Sequence, residues 1–207
     1  MFDLNVGLKD VNGTLGHLET TLHSWLHVVR EYTHRVPKDL MNPDNMDYAW
    51  WSRERSQVGF LAIAAWLNGW AVLEEWGMEK GSASGRNDLW IGRRDIEFYI
   101  EAKQGSCFID KDAKSVEEQI RTLCAKARDS AGQLPAKFQG KRIAAVFITP
   151  SWQRVDDSGF DEMREVWKNK VSAASNAVAL ITPSWDECAK GKDGYRYVGS
   201  ALLLEAI

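Results

Sequence analysis

The sequence predicts an α/β fold in which a mixed central β-sheet is flanked by helices. Three observations predict it. Residues 11–35 carry one apolar stripe at helical spacing, residues 70–104 read as three strands in succession, and from residue 115 onward helical segments alternate with short apolar runs. The runs at 143–148 and 177–181 lack polar alternation, as strands buried on both faces do, and such strands need helices on both sides of the sheet.

Taken in order, the first helix is marked by Leu15, Leu18, Leu22, Trp25, Leu26 and Val29 and stops before Pro37. Residues 36–48, rich in Pro, Asn and Asp, form a loop into a second helix over 49–67, which Asn68-Gly69 ends. Strands follow at 70–76, 87–91 and 95–104, with a Gly/Ser-rich turn at 81–85. Val116, Ile120, Leu123, Cys124 and Ala127 give a helix over 115–131, and residues 160–171 give a shorter one between the two apolar strands. Residues 195–204 read as a final strand whose Leu-rich end also fits a helix. One domain is expected over 1–207, with an N-terminal helix and loop (1–48), a core (49–150) and a C-terminal βα extension of the same sheet (151–207).

Ile-Thr-Pro-Ser-Trp at 148–152 recurs at 181–185, each time after an apolar strand. With a helix between, this reads as a βαβ unit whose parallel strands end in the same turn at the same edge. At that rim Trp152 and Trp185 either pack or offer stacking platforms for bases.

A net charge of −3 excludes binding of nucleic acid through bulk positive charge but leaves room for a local basic groove. Cys107, Cys124 and Cys188 are odd in number and far apart, which argues against a disulfide framework and for a reducing, cytoplasmic setting. The apolar run 60–67 is far shorter than the roughly 20 residues that cross a bilayer, and residues 1–15 have no signal pattern, so no membrane partner is expected. No phosphate-cradling Gly-x-x-x-x-Gly-Lys loop or dinucleotide fingerprint occurs. All four histidines, His17, His23, His27 and His34, lie on or near the first helix, and Glu19, His23, His27 and Glu31 line one face. That face is either solvated or a transition-metal site, and a Ser-His-Asp triad is disfavoured.

The chemistry concentrates in residues 85–104. In the strand 95–104 Ile96, Phe98, Ile100 and Ala102 share one face, leaving Glu97, Tyr99, Glu101 and Lys103 on the other. A hairpin tip at Arg93-Arg94, or a four-residue loop 92–95, pairs Ile91 with Ile96 and Asp88 with Tyr99, which puts Asp88 on the face of Glu101. Diagonal neighbours there are about 7–8 Å apart, within reach of a shared cation. Two carboxylates beside a lysine suit metal-assisted phosphodiester hydrolysis; the alternative is a solvated strand face with cross-strand charge pairs. Glu54 stands in line with the apolar Val58, Leu61, Ala62 and Ala65, where a carboxylate needs a partner or a task, unless it pairs with Arg55 or lies exposed at the helix start.

Asp88, the Glu101-Ala102-Lys103 triplet and the order helix, strand, strand with Asp, strand with Glu-X-Lys, helix, strand resemble the core of the PD-(D/E)XK nuclease superfamily, whose fold is restriction-endonuclease-like. The match covers about residues 50–148, and Asn87 stands where the family name has proline. The resemblance implies a Mg²⁺-dependent nuclease, with Mn²⁺ as substitute, acting on DNA in restriction, repair or defence, or else an inactive relative kept as a binding module. It implies Asp88, Glu101 and the Ala102 carbonyl as metal ligands, Lys103 as the catalytic lysine, Glu54 as a further acid, and Gln104 as a residue near the site. Arg86, Arg93 and Arg94, with Lys111, Lys114, Lys141 and Arg142, either hold phosphates or are ordinary surface charge. Cutting both strands of a duplex with two such sites would make the chain a homodimer.

Overall fold

The apolar stripe from Leu15 to Val29 becomes the buried side of a 3-10 turn, Thr14–Leu18, that runs into α1, Glu19–Arg35. The structure is a computed structural model and describes residues 2–9, 13–35, 53–80, 83–134, 139–153, 158–184, 188–190 and 195–207. The loop expected over 36–48, the first residues of the second helix, and Trp185 lie outside the described residues.

Ahead of α1 stands β1, Asp3–Leu8, and after it come α2, Glu54–Leu67, and the strands β2, Ala71–Lys80, β3, Ala83–Arg93, and β4, Ile96–Phe108. Next are α3, Ala113–Gly132, β5, Lys141–Trp152, α4, Phe160–Ala174, and β6, Ala177–Thr182. Two short strands, β7, Ala189–Lys190, and β8, Arg196–Tyr197, precede β9, Ser200–Ala206. The sheet runs β1-β6-β9-β5-β4-β3-β2, with β7 and β8 pairing beside the end of β5. Only β4 and β5 pair in parallel among the described strands, so the sheet is mixed, and it is open at β1 and β2.

Alternation along β5 explains the two layers. Ile143, Ala145 and Phe147 face the core built on α1 and α2, where Trp25 packs 6.2 Å from Phe147. Ala144, Val146 and Ile148 face a second core built on α3 and α4 around Ile120, Phe160, Trp167 and Val171. Every described position of β5 from 143 to 152 is buried, which is why its sequence shows no polar alternation. Helix α3 begins at Ala113 because the Asp112 carboxylate accepts the N–H groups of Lys114 and Ser115. Among the described residues no helix is long and apolar enough to cross a membrane.

The structure departs from the sequence reading at two places. β1 was not anticipated, because a mostly exposed edge strand carries no buried run. Residues 83–85 extend β3 rather than turning. The C-terminal segment is a strand, as expected, with its Leu-rich end extended and not helical; β9 inserts between β5 and β6, so those two strands share the expected direction without being neighbours. Of the two readings of Trp152, packing holds: it is fully buried with its ring edge-on to Phe160 at 5.5 Å, a core residue and not a platform for bases.

Gly199, at the bend into β9, has φ +128°, and a Cβ there would collide with the Ile181 carbonyl. Gly199→Ala is expected to lower unfolding free energy by about 2–4 kcal/mol, seen as a lower urea midpoint at unchanged slope.

Candidate active site

β3 and β4 pair from Arg93↔Ile96 to Leu89↔Ile100, so the hairpin turns at Arg94-Asp95, with Arg94 at φ +56°. This corrects the expected register by two residues: Ile91 faces Phe98, not Ile96, and Tyr99 faces Trp90, not Asp88. An even shift leaves side-chain parity intact. Asp88 therefore still lies on the face of Glu101 and Lys103, one position past the last pair.

Beyond Leu89 and Ile100 the two strands part, while β4 goes on pairing with β5 as far as Phe108↔Ser151. Peptide groups on the vacated side of β4 must find other partners. Side chains supply them. The Ala102 N–H donates to Asp88 Oδ2 at 2.7 Å, the Gln104 N–H to Glu54 Oε2 at 3.1 Å, and the Phe108 N–H to Gln119 Oε1 at 3.0 Å. The Ala102 carbonyl accepts Lys103 Nζ at 2.7 Å. Asp88, Glu54, Lys103 and the Ala102 peptide thus meet along one strand edge. Glu54 reaches it because α2 packs its Val58, Leu61 and Ala65 into the core below; Arg55 pairs with Glu75 instead.

Two features hold the split open. The fully buried Asn87 donates from Nδ2 to the Leu89 carbonyl at 2.6 Å, tying down the backbone on either side of Asp88. Across from Asp88 on β2, Glu75 has φ +48°, between the pairs Glu74↔Leu89 and Trp76↔Asn87. Neither Glu75 nor Gln119 stands out in the sequence, and Asn87 does so only as the residue in the place of the family's proline; a buried Asn and a left-handed Glu inside strands leave no pattern to read.

Glu101 is 3% exposed and points away from the α1/α2 core that takes its neighbours Ile100 and Ala102. Lys103 is half-buried and makes no ion pair among the described residues. The structure does not bring Arg93 and Arg94 to the site, since they lie at the hairpin tip, five or six residues and roughly 16–20 Å along the strand from Asp88. Arg93 instead covers the Trp70 ring at 4.6 Å. Lys141 and Arg142 begin β5 beside Phe98 and Tyr99, also away from Gln104. Arg86 is exposed and pairs with Glu75 at 2.8 Å. His23 and His27 are exposed on α1, as a solvated face requires. Burial pushes the Cys107 thiol up to about 12, so it is not a thiolate at neutral pH.

Among the described residues no three His, Cys, Asp or Glu side chains form a ready metal cluster. The donors at the split edge are all hard oxygens, however, with the Asp88 carboxylate and the Ala102 carbonyl, which has two lone pairs, meeting at one residue. That set fits Mg²⁺, which is held by one or two carboxylates together with waters and substrate phosphate. No family model, curated protein or solved structure matches the chain.

Asp88→Ala leaves the Ala102 N–H without its acceptor. Expected are faster amide exchange at Ala102 and a stability loss of about 1–2 kcal/mol; unchanged exchange there would show that the Asp88 cap is not formed in solution.

Proposed function

We propose that the chain is a metal-dependent nuclease of PD-(D/E)XK type that hydrolyses phosphodiester bonds, with DNA as the substrate class. The observation that supports it most is Ala102, whose N–H meets a carboxylate and whose carbonyl meets an ammonium at the point where two strands separate. In this reading Asp88, Glu101 and the Ala102 carbonyl, with Glu54 alongside, hold Mg²⁺ or Mn²⁺. The ion supplies a lowered water pKa and offsets charge on the phosphate.

The chain's own groups do the rest. Lys103 spends one of its three N–H donors on the Ala102 carbonyl and has two left, enough to orient an attacking water and contact a phosphate oxygen. The β4 backbone fixes Asp88 and Glu54 through hydrogen bonds two residues apart, about 7 Å along the strand. Neither carboxylate therefore needs reorganisation when substrate arrives. In this reading a cation held beside the buried Glu101 offsets the cost of keeping its carboxylate charged there.

A second reading, a nuclease-like binding module without catalysis, is favoured by the fact that Asp88 and Glu54 already cap strand N–H groups and so have a structural task. Mg²⁺-dependent cleavage of plasmid and oligonucleotide DNA, with Lys103→Ala slower by at least about 100-fold, is the outcome expected of the enzyme. Equal cleavage by both proteins removes Lys103 from the mechanism. No heat of Mn²⁺ or Mg²⁺ binding at millimolar metal, with or without DNA, decides for the module.

A further inference from the structure

Glu75 occupies left-handed backbone, φ +48°, inside β2 and directly across from Asp88. Glutamate disfavours that conformation, and strain of this kind persists only where the surroundings impose it. Its carboxylate gathers two guanidinium groups: Oε1 meets Arg55 Nε at 3.1 Å and Oε2 meets Arg86 Nη1 at 2.8 Å. Arg55 follows Glu54 in sequence at the start of α2, and Arg86 lies two residues before Asp88 on β3. The arginines therefore flank the two acids that cap the open edge of β4.

Stability does not account for the arrangement. The Arg55 and Arg86 side chains are 78% and 70% exposed, and ion pairs so open to solvent add little to folding. Each guanidinium has five N–H donors; Arg86 donates one of them to Glu75, and Arg55 faces the same carboxylate as an ion pair. Among the described residues neither has another partner. Two forks held side by side around one carboxylate carry a net charge of about +1 and keep most donors free, a layout that suits a phosphate better than separate surface cations do.

We infer that Arg55 and Arg86, gathered by Glu75, form a clamp for a phosphodiester of the nucleic-acid backbone next to the site. The clamp rests on the nuclease reading and adds its backbone contact.

The test is binding of a labelled DNA duplex by the full chain in Ca²⁺, on a Lys103→Ala background that suppresses cleavage, across a salt series. Arg55→Gln with Arg86→Gln is expected to weaken binding by about tenfold or more, and to flatten log Kd against log salt by about 0.9, the share of one phosphate contact. Glu75→Ala separates a clamp from diffuse charge: losing an acid from a basic patch tightens binding, whereas losing the residue that gathers two arginines weakens it. Lys111→Gln removes one charge outside the clamp and is expected to change affinity less than either. If the glutamine pair fails to fold, Arg55→Lys with Arg86→Lys keeps the charge but loses the forks and is expected to bind more weakly at nearly the same slope. Duplex binding by the parent that is matched in affinity and slope by the arginine variants overturns the clamp and leaves the nuclease reading standing. A parent that binds no nucleic acid, in a wild type that cleaves none, overturns both.

Discussion

A strand that loses its neighbour still has to satisfy its peptide groups, and the whole candidate site follows from where β4 loses β3. Past Ile100 the groups on one side of β4 have no ladder to join, yet β4 stays central because β5 holds its other side. Three elements contribute side chains in place of the missing strand: β3 sends Asp88, α2 sends Glu54 and α3 sends Gln119. Carboxylates are strong acceptors for such N–H groups, so charge collects at the split for reasons of backbone bonding before any reaction is considered. Lys103, reaching back to the carbonyl of the preceding residue, brings the opposite charge to the same residue, Ala102, that Asp88 meets.

Rigid packing on both faces makes this arrangement reproducible. Glu54 is placed by the apolar side of α2, which is embedded among Leu89, Ile91, Phe98 and Ile100. α3 lies close enough to β4 that a side chain at Gly105 would strike Leu123. The divergence itself is maintained from within the hairpin, by the buried Asn87 amide on one strand and the left-handed Glu75 on the other. Both sit within one residue of Asp88 or directly opposite it, so the distortion of the sheet and the placement of the acid are one event.

Much of this was legible in the sequence, and the physical reason is periodicity. Alternation with period two put Asp88, Glu101 and Lys103 on one face, and that held although the hairpin turn was misplaced, because an error of two residues preserves parity. The apolar stripe of α2 marked Glu54 as an acid needing a partner; only the structure identifies that partner as a backbone N–H. What could not be read were features without a period. The turn at Arg94-Asp95 uses no glycine or asparagine, and Arg94 takes positive φ against its own preference. β1 is a mostly exposed edge strand, and the order of strands in the sheet depends on pairings far apart in the chain. Basic residues near one another in sequence dispersed in space, because a long hairpin carries its tip away from its base.

The position of β9 has a kinetic meaning. Residues 200–206 form the seam between β5 and β6, and among the described strands β1 pairs only with β6, so the sheet stays in two pieces until a late segment threads between strands already built. Contacts bridging such long stretches of chain cost loop entropy before they return any binding, which slows assembly and leaves apolar strand edges uncovered meanwhile. The half bearing β2, β3 and β4 with α2 needs no such wait, so the strands that carry the candidate site can take shape while the remainder of the sheet is still unjoined.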